Sequence, residues 1–253
     1  MDSDERKERK KAYRDWLDKK LNDPNLISGI FNYCDRWCEK CTFTERCLVF
    51  QTEMYDNMQV DDLSNKKFWD NISLNFEVSM DMLYEMAAEN GVDLDALADA
   101  EMTTELADNS TSNLQKMAKA LSLDCLLWSK NNREYFNEIL AQLGAKDVNE
   151  LKHFSDALEI VNWYSIMIGP KIRRASVSDL FKTETENQDS NGSAKVALIA
   201  IERSLMGFRI LYDALPEKRD EIIDFLARLA HVKKRTLSAY PNAMSFKRPG
   251  FDD

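Results

Sequence analysis

The chain has little of what strand-and-turn architectures need, with 7 Gly and 5 Pro in 253 residues. Such folds draw on those residues at nearly every reversal of the chain. Their scarcity, beside plentiful Leu, Ala, Met, Glu and Lys, predicts an all-α fold, a multi-helix bundle. Long apolar runs are also missing. Ile160 to Ile168 and Val196 to Ile201 are the longest, far short of the ~20 residues of a membrane-spanning helix, so no membrane association is expected. The opening Met1-Asp2-Ser3-Asp4-Glu5-Arg6-Lys7 leads into no apolar stretch. The expected location is therefore cytoplasmic.

Histidine is rarer still, with 2 in the chain. His153 begins His153-x2-Asp156-x2-Glu159, whose members do not share one helix face, and His231 lies between Arg228 and Arg235. Neither arrangement suits a metal site or a proton relay. There is no Ser/His/Asp pattern, phosphate loop or Rossmann glycine fingerprint. Positive charge is short too. The net charge is −10, and residues 51–110 hold 15 Asp and Glu against Lys66 and Lys67. An acidic flank of that strength disfavours nucleic acid. A protein partner or a small anionic ligand fits better.

What is present is mostly helical periodicity. Residues 4–21 place Tyr13, Trp16, Leu17 and Leu21 on one face, and the helix should stop at Asn22-Asp23-Pro24. A second helix is expected from Pro24-Asn25 into the following segment. A third, from about Lys66 to Asn90, ends on Asn90-Gly91. Its stripe Trp69, Ile72, Phe76, Met80, Leu83 and Ala87 is the expected buried face. Glu77, Asp81, Glu85 and Glu89, every fourth residue, are the expected solvated face, with a basic surface covering them as the alternative. Helices are further expected over 113–143, 148–175 (capped by Asp147 or Asn149), Ala194–Leu215 and 217–238. A polar connection is expected over 56–65, a short helix and acidic loop over 91–112, and a linker over 176–193. The expected organisation is one helical domain over 1–253. It comprises an N-terminal cysteine lobe at 1–55, a bundle at 66–238 and a tail at 239–253.

The specific signal is Cys34-Asp35-Arg36-Trp37-Cys38-Glu39-Lys40-Cys41-Thr42-Phe43-Thr44-Glu45-Arg46-Cys47. It holds four of the five cysteines at C-x3-C-x2-C-x5-C spacing. Clustered thiols in a reducing compartment point to metal ligation and not to a disulfide framework. Four Cys thiolates hold either zinc or a [4Fe–4S] cluster, and residue type does not choose between them. On a continuing helix Cys34, Cys38 and Cys41 share one stripe, and Cys47, in the first turn of a new helix running Arg46 to Tyr55 with Thr44 as its cap, closes the cage. Arg36, Lys40 and Arg46 would offset its negative charge. Cys125, amid leucines, reads as a small core residue.

Cys38-Glu-Lys-Cys41-Thr-Phe-Thr-Glu-Arg-Cys47 resembles the iron–sulfur staple of RecB-like nucleases, which implies a cluster. The nuclease's acidic residues on strands have no counterpart in this chain. Cys34-x3-Cys38-x2-Cys41 resembles the cluster motif of radical S-adenosylmethionine enzymes, whose β/α barrel this composition does not build. More broadly, Tyr33-Cys-Asp-Arg-Trp-Cys-Glu39, Gly192-Ser-Ala-Lys-Val-Ala-Leu198 and Lys247-Arg-Pro-Gly-Phe-Asp252 resemble an uncharacterised bacterial all-helical family. That resemblance implies no activity.

A second constellation is charge on the two most apolar helices: Glu159, Lys171, Lys195, Glu202, Arg203 and Arg209. Unpaired buried charge is costly, so these form either an internal ion network or the lining of an anion pocket. In the second case Gly192 and Ser193 at a helix N-terminus, with Lys195 one turn in, would meet a phosphate or carboxylate, and Glu159, Glu202 and Arg203 would complete the site. The leading functional reading is a binding or regulatory module with a structural or redox-sensing four-cysteine site. The alternative is a redox enzyme using a [4Fe–4S] cluster beside that charged pocket.

Overall fold

The computed structural model describes residues 3–55, 66–94, 113–181 and 184–252. Among the described residues there are eight α-helices and no strand, an all-α fold as the composition predicts. No described helix is long and apolar enough to cross a membrane. Contacts divide the chain into two compact units, Met1–Phe31 with Arg36–Leu106, and Asn32–Asp35 with Ala107–Asp253.

The first unit contains α1 (Ser3–Leu21), α2 (Leu48–Tyr55) and α3 (Lys66–Glu89). Helix α1 stops before Pro24 as expected. Helix α3 ends at Gly91, whose φ of 67° lets the Val92 N–H reach the Ala87 carbonyl at 2.8 Å. Tyr13 and Trp16 of α1 meet Tyr55 of α2, with Trp16 and Tyr55 centroids 4.4 Å apart. The helix expected from Pro24 through Cys41 does not form. Gly29 and Arg36 take left-handed backbone (φ 71° and 57°), and 22–47 folds into short 3-10 turns at Ile30–Asn32, Cys38–Lys40 and Thr44–Arg46. The Ile27 N–H donates to the Arg46 carbonyl at 3.0 Å and Arg46 Nε to the Asn25 carbonyl at 3.0 Å, so the segment closes on itself.

Helix α3 packs with its other face than expected. Asn71, Leu74 and Val78 are buried, whereas Trp69, Ile72, Phe76 and Leu83 of the expected stripe are exposed, Met80 is half-buried, and Ala87 is buried as expected. The acids of α3 meet α1: Glu77 pairs with Arg6, Asp81 with Lys10 at 2.7 Å, and Glu85 with Arg14 at 2.6 Å. The numbering rises together on both helices, so they run parallel. Asp81, Glu85 and Glu89 remain exposed, as expected of a solvated face, and the basic side chains beside the acids belong to the same chain.

The second unit contains α4 (Asn113–Asn131), α5 (Arg133–Gly144), α6 (Val148–Phe181), α7 (Glu184–Ala214) and α8 (Arg219–Ala239). Helices α4, α6, α7 and α8 pack in a closed ring, α4 on α6, α6 on α7, α7 on α8 and α8 on α4. That is an up-down four-helix bundle. Asp147 caps α6, its Oδ1 accepting the Asn149 N–H at 2.7 Å. The single helix expected over 113–143 breaks at Asn132, whose side-chain amide takes up the Trp128 carbonyl at 2.9 Å. The linker expected over 176–193 is mostly helix, the end of α6 and the start of α7. Packing at Asp189, Ser190 and Gly192 outweighs a modest local propensity there.

The bundle core is aromatic at one end. Trp128, Phe208 and Phe225 sit within 5.7 Å of one another by centroid, and Trp128 Nε1 donates to Glu221 at 2.6 Å. Small residues set the α6–α7 spacing. A Cβ on Gly207 would meet Val161 Cγ2 at 2.8 Å and the Ala157 carbonyl at 3.1 Å. The C-terminal residues 240–252 fold back on α7. The expected connection at 56–65 and, from residue 95 onward, the short helix and acidic loop expected over 91–112 lie outside the described residues.

Candidate metal centre

Cys38 and Cys41 flank a tight turn. The Cys41 N–H donates to the Cys38 carbonyl at 3.1 Å, and the Lys40 N–H to the Trp37 carbonyl at 3.1 Å. The Phe43 N–H then donates to Cys41 Sγ at 3.4 Å. A second turn follows, the Cys47 N–H donating to Thr44 at 3.3 Å, and the Cys47 carbonyl accepts the Gln51 N–H at 3.0 Å to start α2. Helix α2 therefore begins at Leu48, two residues beyond the expected start at Arg46, without a side-chain cap from Thr44. Lys40 Nζ lies 4.0 Å over the Trp37 ring, which is buried. All four cysteines of the segment are half-buried, and Cys125 is buried.

Cys34 lies in the short stretch assigned to the second unit, and that stretch is held on both sides of the thiol. Tyr33 Oη donates to Asp189 at 3.0 Å, and Asp189 also binds Arg174 at 2.6 Å. The Asp35 carboxylate accepts from Tyr164 Oη at 2.6 Å, and its carbonyl from Trp163 Nε1 at 2.8 Å. Lys171 donates to the Asn32 carbonyl at 3.2 Å. Burial, helped by Asp189, pushes the Tyr33 phenol up to about 12. Burial and then Asp35 raise Tyr164 as well. Both phenols stay protonated donors at neutral pH.

The stripe of three thiols on one helix fails, because the backbone there is turn and not helix. Among the described residues, no three His, Cys, Asp or Glu side chains form a group that could hold a metal ion. Cys125 lies apart in α4, where burial pushes its thiol up to about 12.

The charged constellation is placed differently from expectation. Gly192 and Ser193 are in the interior of α7 and not at a helix N-terminus, because α7 begins at Glu184. Gly192 lies against aromatic rings, since a Cβ there would overlap Tyr33 Cε1 and meet Phe246 Cε1 at 2.9 Å. Ser193 is fully buried with no hydrogen-bond partner at its hydroxyl. Lys195, 8% exposed, donates to the Phe246 carbonyl at 2.5 Å and pairs with Asp252 at 2.8 Å. Glu202 pairs with Lys233 of α8. Glu159, Glu202, Arg203 and Arg209 are exposed and Lys171 is half-buried. Each bundle helix keeps one side in water, and these charges occupy it.

The tether around Cys34 is the feature missed by sequence reasoning. Its partners lie more than a hundred residues apart, as in Tyr164 and Asp35 with a separation of 129. No fixed spacing signals such a pair. No protein-family model, curated protein or solved structure matches this chain.

Proposed function

We propose that Cys34, Cys38, Cys41 and Cys47 bind zinc or a [4Fe–4S] cluster in a cytoplasmic binding or regulatory module, where the site is structural or redox-sensing. The observation that carries this reading is the Cys38–Cys41 turn, with the Phe43 N–H aimed at Cys41 Sγ. Backbone N–H donors to sulfur are among the outer contacts that orient cysteine ligands around zinc and iron–sulfur sites. Arg36, Lys40 and Arg46 lie within the same segment and offset the charge of four thiolates. Residues 22–47 hold together through short turns, so metal binding is the step that gathers the sulfurs, and its free energy becomes folding free energy. Four protein ligands would leave no open coordination position, which favours a structural or redox role over Lewis-acid chemistry.

Anaerobic purification followed by metal analysis and a visible spectrum tests this. One zinc per chain, or a brown protein absorbing broadly near ~400 nm, is the expected result. Cys38→Ser should lower the metal content and the stability of the first unit, whereas Cys125→Ser should leave the metal content unchanged. A metal-free protein, or unaltered metal in Cys38→Ser, refutes the assignment.

A further inference from the structure

Cys34 stands in a stretch that is pinned through its two neighbours and not through a helix of its own. On one side the Tyr33 ring lies where a Gly192 side chain would be, and packs on Phe246 with centroids 4.7 Å apart. On the other side Asp35 is fixed to α6 by Tyr164 and Trp163. The next residue, Arg36, has a φ of 57°, a left-handed conformation that a residue with a Cβ adopts only at a cost. Such backbone persists where its surroundings hold it.

The same Tyr33 ring clamps the C-terminal residues. Phe246 lies against it, while the Phe246 carbonyl accepts from Lys195 at 2.5 Å. Further along, Asp252 pairs with Lys195 at 2.8 Å and with Arg248 at 2.9 Å. Behind the ring, Tyr33 Oη donates to Asp189, which Arg174 holds in turn. Residues 240–252 contain no α-helix, only the 3-10 turn Ala243–Ser245, so their docking depends on contacts of this kind. Residues 32–35, α6, α7 and the tail all belong to the second unit. The path from Cys34 to Asp252 therefore lies within one compact body.

We infer that residues 240–252 are a latch controlled by the ligation of Cys34, docked while that thiol is held by metal and loosened when it is not. The inference rests on the four-cysteine reading above and adds its regulation. Ligation anchors the residue between Tyr33 and Asp35 and keeps the Tyr33 ring seated on Phe246. Without that anchor, relaxation at Arg36 draws the stretch away and Phe246 loses the ring. Loosening then exposes Lys195, a cation that the docked tail keeps out of water. Coupling of this kind is reciprocal, so the tail strengthens metal binding by the factor with which metal strengthens tail docking.

Hydrogen exchange of the full chain, read by mass spectrometry with and without zinc, tests this; an iron–sulfur protein would be compared with and without its cluster. Amides of 243–252 should exchange ~10-fold faster in the metal-free chain, while those of 196–201 in α7 keep their protection. Asp252→Asn loosens the tail, alters no cysteine, and should weaken zinc binding by up to the same ~10-fold in a chelator competition. Tyr33→Ala should give a tail that exchanges fast with or without zinc, and Cys125→Ser should behave as wild type. Bound metal whose removal leaves tail exchange unchanged overturns the latch and leaves the metal site standing. Unaltered zinc affinity in an Asp252→Asn chain whose tail exchanges fast overturns it as well. A chain that takes up neither zinc nor iron overturns both proposals, and metal analysis of the same samples separates that result from the others.

Discussion

Ser122 of α4 reaches into the backbone of α6 at Gly169. Its hydroxyl accepts the Gly169 N–H at 3.0 Å and donates to the Ser165 carbonyl at 2.7 Å, so one side chain spans both ends of a helical rung. Gly169 makes this approach possible, because a Cβ there would stand 3.2 Å from the Ser122 oxygen and 3.3 Å from Lys119 Cα. Pro170 follows, and it lacks an N–H of its own.

Replacing Ser122 by Ala removes a buried partner from both groups. Leaving buried backbone polar groups unsatisfied costs about 1–3 kcal/mol. Urea unfolding of Ser122→Ala should show a loss in that range with no change in slope. A neutral result would mean the rung closes without the hydroxyl.

Gly192 should tolerate a methyl group poorly for a different reason. The new carbon would overlap the Tyr33 ring and press on Phe246. Overpacking of this kind costs about 1–3 kcal/mol, and it would loosen both the 32–35 stretch and the C-terminal residues. Gly192→Ala should melt earlier and be cut faster by protease near the C-terminus. Gly91→Ala meets no atom within 4 Å and suffers only its left-handed backbone, a cost of about 1–2 kcal/mol.

The docked C-terminus carries a pH dependence. Arg248 hydrogen bonds, reinforced by Lys195, hold the Asp252 carboxyl well below the usual carboxylate range. A carboxyl lower in the folded than in the unfolded chain contributes fully above its unfolded value of about 4. That contribution is lost as pH falls toward the folded value. Asp252→Asn strands a largely buried Lys195 and should destabilise by about 2 kcal/mol at pH 7. The difference from wild type should narrow below pH ~4. A gap that stays constant on acidification would assign the effect to shape and not to charge.

Thiol chemistry should separate the five cysteines. Cys125 is buried and its thiol is pushed up to about 12, so iodoacetamide at pH 8 should leave it unmodified in the folded protein. The four half-buried cysteines should react in metal-free protein and become protected when zinc is added. Peptide mass mapping reads each site. Modification of Cys125 at the rate of the others would contradict its placement in the core.

Much of the fold was legible wherever a local signal sufficed. Pro24 ended α1, Asp147 capped α6 and Gly91 closed α3, each through geometry contained within a few residues. Cys125 was readable as core from its leucine neighbours. Long-range choices were not legible. The wheel of α3 separates an apolar stripe from an acidic one, but which stripe turns inward depends on Arg6, Lys10 and Arg14, more than sixty positions away. In the cysteine segment, spacing suggested a helix where left-handed Arg36 and a chain of turns prevail. Ligand identity was readable there as residue type, and ligand placement was not. Gly192 was expected at a helix N-terminus, yet it lies inside α7 and its small size serves the Tyr33 ring.

The parallel α1–α3 ladder behaves like a vernier. Glu77, Asp81, Glu85 and Glu89 repeat every fourth residue, as do Arg6, Lys10 and Arg14. Sliding α3 by four residues, about 6 Å, would match Arg6 with Asp81, Lys10 with Glu85 and Arg14 with Glu89. The charges count three pairs in either setting. Even the bond from Arg9 to Asn71 has a replica four residues on, in Asn75. The bond from Arg6 to Ser73 at 2.8 Å and the shapes of Leu74 and Val78, which Val78 and Met82 would replace, distinguish the two positions. In this ladder charge alone does not fix the register, and the packing of uncharged side chains against α1 has to do so.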